Sequence, residues 1–326
     1  MEYSVTNMFA EKMTENVYVK AFAQGAEMEQ RELPPVVSVL MASYNHERFV
    51  EEAVRSVMSQ KGVAFELIVI DDGSTDRSPE ILERLQPEFG FTYIHRENRG
   101  VVATMNELLS LARGKFFCSF ASDDIMPPDR LKDQSNYLLN HLQYKACFGQ
   151  VYVMDEFGNV DTEPYLRYFK SIPQVTFEEF ILGKKEIHGC SEMIDVAEFR
   201  RLGGYDDSCF QEDFPMILRL LYEYGSLPVI SCPCCYYRIH GNNLSSLDSK
   251  DSINKIFAGM MQAVERYRDH RLYSKASRHI KTVWFSALAY RNKGECLRRL
   301  PKLFNFSLEF LEHLPKLFIP SFLLKH

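Results

Sequence analysis

Short apolar runs alternate with amphipathic stretches over residues 35–125. The runs are rich in β-branched or aromatic residues and follow or precede proline, glycine or aspartate, as buried strands do. Between them apolar residues recur at helical spacing, as Phe49, Ala53, Val54 and Val57 do. The pattern predicts strands at 36–42, 66–70, 91–95 and 115–120. This alternation predicts an α/β fold, a parallel sheet with helices on both faces.

The pattern is less regular after residue 149. It predicts a short helix at 177–183, a strand at 187–195, a helix at 212–224, a strand at 229–238 and consecutive helices from about residue 252. We therefore expect three regions. They are a polar N-terminal extension at 1–34, an α/β domain at 35–248 and a helical C-terminal region at 249–326.

Polar and aromatic side chains lie just past the ends of three predicted strands. They are Tyr44, Asp72 and the pair Asp123 and Asp124. The carboxyl ends of parallel strands meet at one edge of a sheet, and ligands of such sheets bind there. We therefore expect these residues to line one binding site.

Composition narrows the class of partner. The chain has 326 residues, of which 46% are hydrophobic, and 38 basic against 44 acidic residues give a net charge of −6. That is ample for a folded core. A mildly acidic chain without a basic, aromatic-rich patch is not expected to bind nucleic acid. Small molecules are the expected partners.

The N-terminal residues and the cysteines bear on the cellular compartment. The first thirty residues lack the apolar run of a secretory signal, and no window of 18 apolar residues indicates a membrane span. We therefore expect a cytoplasmic protein with reduced thiols. Cys232, Cys234 and Cys235 have a C-x-C-C spacing without a matching second pair, which disfavours a zinc site there.

Asp123 and Asp124 are candidate metal ligands. Adjacent carboxylates repel each other unless a cation neutralises them, and oxygen ligands favour Mg²⁺ or Mn²⁺. A solvated acidic turn is the alternative. The apolar strand before the pair and the helix start at 127–130 after it favour the metal site.

A series of motifs follows in a fixed order over residues 35–245. They are Val37–Asn45, Ile68–Asp76, Asn98–Gly100 with Asn106, Ala112–Lys115, Ser122–Asp124, Gly203–Asp206, Glu212–Asp213 and Tyr237–His240. In order and spacing the chain resembles the family 2 glycosyltransferases of the GT-A fold. The resemblance implies a Rossmann-like, mostly parallel sheet with a nucleotide-binding half at 35–125 and an acceptor half at 126–248.

The resemblance also implies a donor site. In the family the residue matching Tyr44 packs on the nucleotide base, and the residue matching Asp72 binds a base N–H group. Asp72 would serve uracil, the family's usual base, or thymine or guanine. Ala42 stands where relatives often carry threonine or proline, and its backbone still suits a contact with the base. The predicted donor-binding residues are Ala42, Tyr44, Asp72, Asn98, Gly100 and Asp123.

Metal and catalytic roles are carried over in the same way. The residue matching Asp124 is the family's usual Mn²⁺ or Mg²⁺ ligand, and His240 matches a late histidine that completes the metal shell in many GT-A enzymes. The alternative for His240 is an ordinary loop histidine. The residue matching Asp213 is the expected catalytic base, and a helix cap is its alternative. Glu212, His188 and Glu192 are predicted acceptor-binding residues, and a core histidine is the favoured alternative for His188.

These roles define a reaction. The departing diphosphate develops charge that a metal ion neutralises, while a carboxylate takes the proton of the attacking acceptor hydroxyl. A base on the opposite face of the sugar implies inversion of configuration. The chain lacks the Q-x-x-R-W pattern of processive synthases, so single additions are expected. A catalytically degenerate scaffold that binds a nucleotide-sugar, or a nucleotidyltransferase, is the alternative.

The C-terminal tail combines aromatic, aliphatic and basic residues. It runs from Leu303 through Phe318 to Lys325 and suits an interfacial membrane helix. Packing onto the α/β domain or against a second protomer is the equal alternative. Membrane contact would place the protein at the inner face of the plasma membrane. It would also suit a lipid-linked glycan acceptor of surface polysaccharide synthesis.

Overall fold

The computed structural model describes residues 35–164, 174–241, 243, 247, 249–305 and 307–318. The predicted extension at 1–34 and the end of the tail at 319–326 lie outside the described residues. The strands are β1 (Val37–Ser43), β2 (Phe65–Asp71), β3 (Thr92–His95), β4 (Phe116–Ala121), β5 (Ala146–Met154), β6 (Val160–Pro164), β7 (Gln174–Thr176), β8 (Met193–Asp195) and β9 (Ser226–Arg238).

The helices between and after these strands range from one to five turns. They are α1 (Val50–Met58), α2 (Ser78–Phe89), α3 (Val101–Leu111), α4 (Arg130–Asn140), α5 (Phe177–Ile181), α6 (Val196–Arg201), α7 (Asp213–Tyr224), α8 (Lys250–Glu265), α9 (Tyr273–Arg291), α10 (Lys293–Leu303) and α11 (Leu308–His313). Two 3₁₀ turns are present at Gly189–Ser191 and Leu314–Leu317.

The first four strands form a parallel ladder in the order β3–β2–β1–β4. β8 joins the edge of β4 in the antiparallel direction and connects the ladder to β5, β9 and β7. β9 runs parallel to β5, and β6 pairs with β5 off this path. The mostly parallel α/β sheet that the alternating pattern predicts is confirmed.

Successive side chains of β1 point into two hydrophobic layers. Val37, Val39 and Met41 pack in the layer that contains α1 and α2. Leu40 packs in the layer that contains α3. Because neighbouring residues of a strand face opposite sides of its sheet, this division places helices on both faces.

The C-terminal helices pack onto the layer that contains α3. Phe257 of α8, Phe285 of α9 and Phe310 of α11 belong to the same buried cluster as Leu40 and Phe117. The helical region therefore extends the core of the α/β domain. None of the helices within the described residues has both the length and the hydropathy to cross a bilayer.

The segment after β4 folds back onto the end of β9. The Ile125 N–H donates to the Tyr236 carbonyl at 3.2 Å, and the Tyr236 N–H donates to the Ile125 carbonyl at 3.0 Å. This isolated antiparallel bridge brings the last residues of β9 beside Asp123 and Asp124. One edge of the sheet thus receives residues from both ends of the α/β domain.

The single strand predicted at 187–195 is wrong over most of its length. The chain forms the 3₁₀ turn at Gly189–Ser191, and β8 alone is extended. A Cβ atom on Gly189 would lie 2.6 Å from Cβ of Asp213. The absence of a side chain at Gly189 therefore allows the turn to pack directly against the first residue of α7.

Candidate active site

Hydrogen bonds between the loops after β1 and β2 fix the first part of the site. Asn45 has a φ of 55°, in the left-handed region that asparagine tolerates better than most residues. Its N–H donates to Ser74 Oγ at 2.8 Å, and its side-chain oxygen accepts the Thr75 N–H at 2.8 Å. These bonds hold the two residues that flank Asn45 at the carboxyl edge of the sheet. The flanking residues are Tyr44 and His46.

Asp72 is held by the segment that leads into α3. Its carboxylate accepts the backbone N–H groups of Arg99 and Gly100, each at 2.9 Å, and a hydrogen bond from the Arg96 guanidinium. The Tyr44 side chain on the neighbouring loop is 46% exposed. An oriented carboxylate and an open aromatic ring therefore lie at the ends of adjacent strands.

The other predicted donor residues lie at the same edge. Ala42 near the end of β1 is in register with Ile70 on one side and Ala121 on the other. Asn98 lies against Gly73, where an added Cβ would be 2.7 Å from the Asn98 nitrogen. Gly73 also has a φ of 77°, so both backbone conformation and space require glycine there.

Asp123, His46 and His240 form a compact cluster of metal-ligating groups. His240 Nε2 lies 2.9 Å and His46 Nε2 lies 3.7 Å from Asp123 Oδ2. His46 Nδ1 is hydrogen-bonded to Ser122 Oγ at 2.8 Å, which fixes the ring. Residues that follow β1, β4 and β9 thus converge on one point.

The charges in this cluster follow from its burial. Burial raises the pKa of Asp123, but the hydrogen bond from His240 and the charge of His46 outweigh it and lower that pKa. Burial lowers the pKa of His46. Asp123 is therefore ionised, which is the protonation state that a metal ion requires of a carboxylate ligand.

Asp124 has different neighbours. Its carboxylate accepts the Arg238 N–H at 2.8 Å and the Cys235 thiol at 3.3 Å, and the residue is buried. Burial and the charge of Asp123 raise the pKa of Asp124 well above its usual value. The structure thus places His240 with Asp123, whereas the prediction pairs His240 with Asp124.

The Arg238 side chain links the end of β9 to neighbouring parts of the site. Its buried guanidinium donates from Nε to the Asp123 carbonyl at 2.8 Å and from Nη2 to Glu52 at 2.6 Å. The Phe49 ring lies 4.8 Å from the guanidinium carbon and 4.9 Å from the His240 ring. The end of β9 is therefore tied both to α1 and to the loop after β4.

Asp213 is the first residue of α7 and packs against Gly189. A carboxylate at a helix N-terminus is stabilised in its ionised form by the helix dipole. Burial and the charge of Asp213 raise the pKa of the preceding Glu212 to about 7. Glu212 can therefore gain or lose a proton near neutral pH, directly beside Asp213.

His188 lies near enough to both Asp213 and Asp124 for their charges to affect it. Burial lowers its pKa, but the charge and hydrogen bond of Cys190 and the charges of Asp213 and Asp124 outweigh this effect and raise it to about 9. The Cys190 sulfur lies 3.1 Å from His188 Nδ1. Predicted acceptor residues His188 and Glu212 thus lie close to Asp213.

Glu192 is placed differently from the other predicted acceptor residues. It is fully buried, and its carboxylate accepts the Ser119 N–H at 2.7 Å and the Ser119 hydroxyl. Arg130 donates to the Glu192 carbonyl at 3.0 Å. Without exposed surface Glu192 cannot touch an acceptor, so its predicted contact is corrected to a place in a buried polar network.

Sequence reasoning names neither His46 nor Arg238 as a site residue. Each lies next to a predicted site residue, since His46 follows Tyr44 and Asn45, and Arg238 precedes His240 by two positions. Their positions beside predicted site residues were the signal by which the sequence could have identified His46 and Arg238. Cys190 likewise lies two positions from His188 and from Glu192, but its neighbours Cys235 and Asp124 are distant along the chain, so the sequence does not reveal the group that they form.

Comparisons with known proteins identify a family. The family model described as "Glycosyl transferase family 2" matches residues 38–194. This range contains Asp72, Asp123 and Asp124, whereas Asp213 and His240 lie beyond it. An uncharacterized glycosyltransferase of Methanocaldococcus jannaschii is 33% identical over 212 residues, which cover 63% of this chain and 71% of that protein.

Solved structures share the fold. S. aureus TarS 1–349 in complex with UDP-GlcNAc has a TM-score of 0.57 at 15% identity, over 86% of this chain and 80% of that one. A mannosyltransferase from Pyrobaculum calidifontis in complex with GDP-Man and Mn²⁺ has a TM-score of 0.56 at 14% identity, over 99% and 98%. The sequence matches and the shared α/β fold lead to one conclusion: this chain belongs to glycosyltransferase family 2.

Proposed function

We propose that this protein is a metal-dependent, inverting glycosyltransferase that adds one sugar at a time to an acceptor hydroxyl. The donor in this proposal is a nucleotide-diphosphate sugar, with a UDP-sugar as the first choice. One arrangement carries the proposal. Asp72, the cluster of Asp123 with its two histidines, and Asp213 all lie at or beside the carboxyl edge of the sheet.

The cluster of His46, Asp123 and His240 fits a divalent metal ion. Its ligand atoms lie within 4.8 Å of one another. Imidazole nitrogens suit transition metals, whereas Mg²⁺ prefers an all-oxygen shell, so the set favours Mn²⁺ over Mg²⁺. When bound, the ion would neutralise negative charge on the departing diphosphate. The first metal ligand in this proposal is Asp123. The family resemblance implies the adjacent Asp124 instead.

Asp72 and Tyr44 are proposed to bind the nucleotide base. A carboxylate has about four lone-pair sites, and three hydrogen-bond donors already occupy Asp72. The remaining site suits one base N–H group, such as that of uracil or guanine. Tyr44 supplies a face for stacking. Both UDP and GDP donors are bound by solved proteins of this fold, so the base is a matter for direct measurement.

Asp213 is proposed to take the proton of the acceptor hydroxyl. Asp213 is the first residue of α7, where the helix dipole favours negative charge, and this position suits a base. Glu212, with a pKa near 7, and the His188 ring suit hydrogen bonds that orient the acceptor. Attack from this side, opposite the departing diphosphate, inverts the configuration of the anomeric carbon.

A thermal-shift panel tests the proposal. Nucleotide diphosphates and sugar donors are added to the full chain with and without Mn²⁺, because a ligand that binds only the folded state raises its melting temperature. We expect one nucleotide to give a Mn²⁺-dependent shift, followed by transfer or slow hydrolysis of the matching sugar donor. Binding without turnover would favour a degenerate scaffold, and no binding by any nucleotide would contradict the proposed donor site.

A membrane surface is proposed as a second partner. Among residues 297–305 and 307–318, five large apolar side chains are exposed, and Leu308 and Phe318 are exposed by 79% and 82%. Lys302 and Lys316 lie on the same segments. We call this set the C-terminal apolar surface: Leu297, Phe304, Leu308, Leu311 and Phe318. Such a surface suits the interface of an anionic membrane and a lipid-linked glycan acceptor, at the inner face of the plasma membrane.

Vesicle sedimentation tests the membrane proposal. We expect the full chain to bind vesicles that contain anionic lipid, and the double variant Leu308→Ser with Phe318→Ser to bind much less. Phe157→Ser is the matched control, because Phe157 is 80% exposed but lies between β5 and β6. Equal binding by all three proteins would contradict the proposal. Loss of a dimer in the double variant, without vesicle binding by the parent, would assign the surface to a second protomer.

A further inference from the structure

Asp124, Cys190 and Cys235 form a second group of metal-ligating side chains. Their ligand atoms lie within 4.8 Å of one another. The Cys235 sulfur lies 3.3 Å from Asp124 Oδ2, and His188 Nδ1 lies 3.1 Å from the Cys190 sulfur. The proposed transfer reaction gives these thiols no role.

The separations suit a small tetrahedral ion. Zinc binds sulfur at about 2.3 Å and oxygen or nitrogen at about 2.0–2.2 Å, so two ligand atoms on one ion lie roughly 3.3–3.8 Å apart. Asp124 and Cys235 already have this spacing. Cys190 is partly exposed whereas Cys235 is buried, so an ion has a route to the group from the side of Cys190.

The chemistry of the donors separates this group from the cluster around Asp123. Two sulfurs and a carboxylate form a soft set, which zinc prefers and Mn²⁺ and Mg²⁺ do not. The cluster of Asp123, His46 and His240 contains no sulfur. Although adjacent in sequence, the two aspartates therefore belong to ligand sets with different metal preferences.

We propose that Asp124, Cys190 and Cys235 bind one Zn²⁺ ion, with His188 as the nearest group to complete a tetrahedron. Binding replaces S–H bonds of the thiols by Zn–S bonds and any O–H bond of Asp124 by a Zn–O bond, and the protons from these groups are released to solvent. This zinc site is separate from the proposed donor chemistry and holds whether or not the protein transfers sugar. Its occupation would draw Asp124 toward the thiols.

Metal titration of the full chain tests the site without any activity assay. Purified metal-free protein is titrated with Cd²⁺, and ultraviolet charge-transfer absorption reports sulfur–metal bonds directly. Competition with a chromophoric chelator then gives the zinc affinity and stoichiometry. We expect one tightly bound ion per chain, thiolate absorption with Cd²⁺, and visible absorption of tetrahedral type with Co²⁺.

Variants locate the ion. Cys190→Ser, at a partly exposed position, and Cys235→Ser should each weaken zinc binding by at least about tenfold. That is the smallest loss usually seen when a residue that only hydrogen-bonds to a metal ligand is removed, and loss of a ligand itself should cost no less. His240→Ala should retain the ion, and Cys296→Ser is the matched control because Cys296 lies on α10, remote from the group.

Three outcomes would overturn the proposal. One is the absence of thiolate absorption in the unsubstituted protein, which does not depend on any variant folding. Another is loss of zinc in His240→Ala with retention in both cysteine variants, since that places zinc at the Asp123 cluster. The third is loss in Cys232→Ser alone, because Cys232 and Cys234 form their own pair with sulfurs 3.3 Å apart.

Discussion

At the residue scale, Asp123 and Asp124 differ only in what surrounds them. Asp123 meets two imidazoles and has a lowered pKa, whereas burial raises the pKa of Asp124 beside a thiol and a backbone N–H. A carboxylate that is already ionised binds a cation without first losing a proton. Asp123 is therefore the better first ligand for the proposed catalytic metal.

Replacing Asp123 by Asn should remove the metal dependence of donor binding. The amide keeps the size of the side chain but loses the charge, so Mn²⁺ affinity should fall by at least about tenfold. Isothermal titration of Mn²⁺ in the presence of the nucleotide measures this change. Asp124→Asn is the matched variant, and a larger loss of Mn²⁺ affinity there would restore Asp124 as the principal ligand.

Replacing Asp213 by Asn should abolish proton transfer while leaving the donor bound. General bases contribute about 10²- to 10⁴-fold to rates, so kcat should fall within that range and the nucleotide affinity should not change. Steady-state kinetics and donor titration separate the two effects. A collapse of donor affinity with a proportionate loss of rate would contradict the role of base.

The sequence predicts which residues lie at the edge of the sheet, but it does not predict the contacts that they make there. Strand ends located Tyr44, Asp72 and the aspartate pair, because parallel strands share an edge. Which aspartate meets His240 depends on the bridge between Ile125 and Tyr236, a long-range pairing without a local signal. The burial of Glu192 likewise depends on the distant partners that surround it.

At the element scale, the turn at Gly189–Ser191 sets the position of α7. Local patterning predicts the strands of the first half well, since each is a short apolar run. β1, β2 and β4 are mostly buried, whereas β3 at the edge is partly exposed. The stretch at 187–195 is also apolar at several positions, and periodicity cannot reveal that its glycine packs against a helix start. The structure of residues 187–195 therefore depends on their contact with α7.

Replacing Gly189 by Ala should displace Asp213. The new methyl group would lie 2.6 Å from Cβ of Asp213, a distance that forces the turn and α7 apart. We expect a lower kcat at nearly unchanged donor affinity, together with a lower melting temperature. Gly294→Ala is the control, since its nearest neighbour within 4 Å is the Asn292 side chain at 3.8 Å. Unchanged kinetics in Gly189→Ala would contradict this coupling.

At the scale of the whole molecule, one core joins the sheet to the C-terminal helices. Phe257, Phe285 and Phe310 share a cluster with the strands, so removal of residues 249–326 would expose apolar surface of the α/β domain. Deleting the tail is therefore a poor test of membrane binding, and surface substitutions such as Phe318→Ser are preferable. The sequence left this packing open, because an amphipathic helix does not specify its partner.

The buried Glu192 should make global stability depend on pH. Burial raises its pKa from 4.5 to about 8, against the opposing charge of Arg130. Between these values the folded protein holds a proton that the unfolded chain releases, so stability should fall as pH rises, by up to about 1.4 kcal/mol per pH unit.

Urea unfolding from pH 5 to pH 8 checks this prediction. Glu192→Gln should flatten the dependence and leave acceptor KM unchanged, because the side chain touches no substrate. Glu97→Gln, at an exposed position, serves as the control. An unchanged slope in Glu192→Gln would show that another group is responsible, and a raised acceptor KM would return Glu192 to the acceptor site.

Arg238 donates hydrogen bonds to Glu52 and to the Asp123 carbonyl, so the site contains residues that are far apart in the order of synthesis on the ribosome. The strands β1 to β4 emerge early and can pair with one another, but the residues that complete the metal cluster emerge only with the end of β9. A nascent chain that has not passed His240 lacks one of the three ligands of that cluster. The proposed metal cluster is therefore complete only after most of the polypeptide has been made.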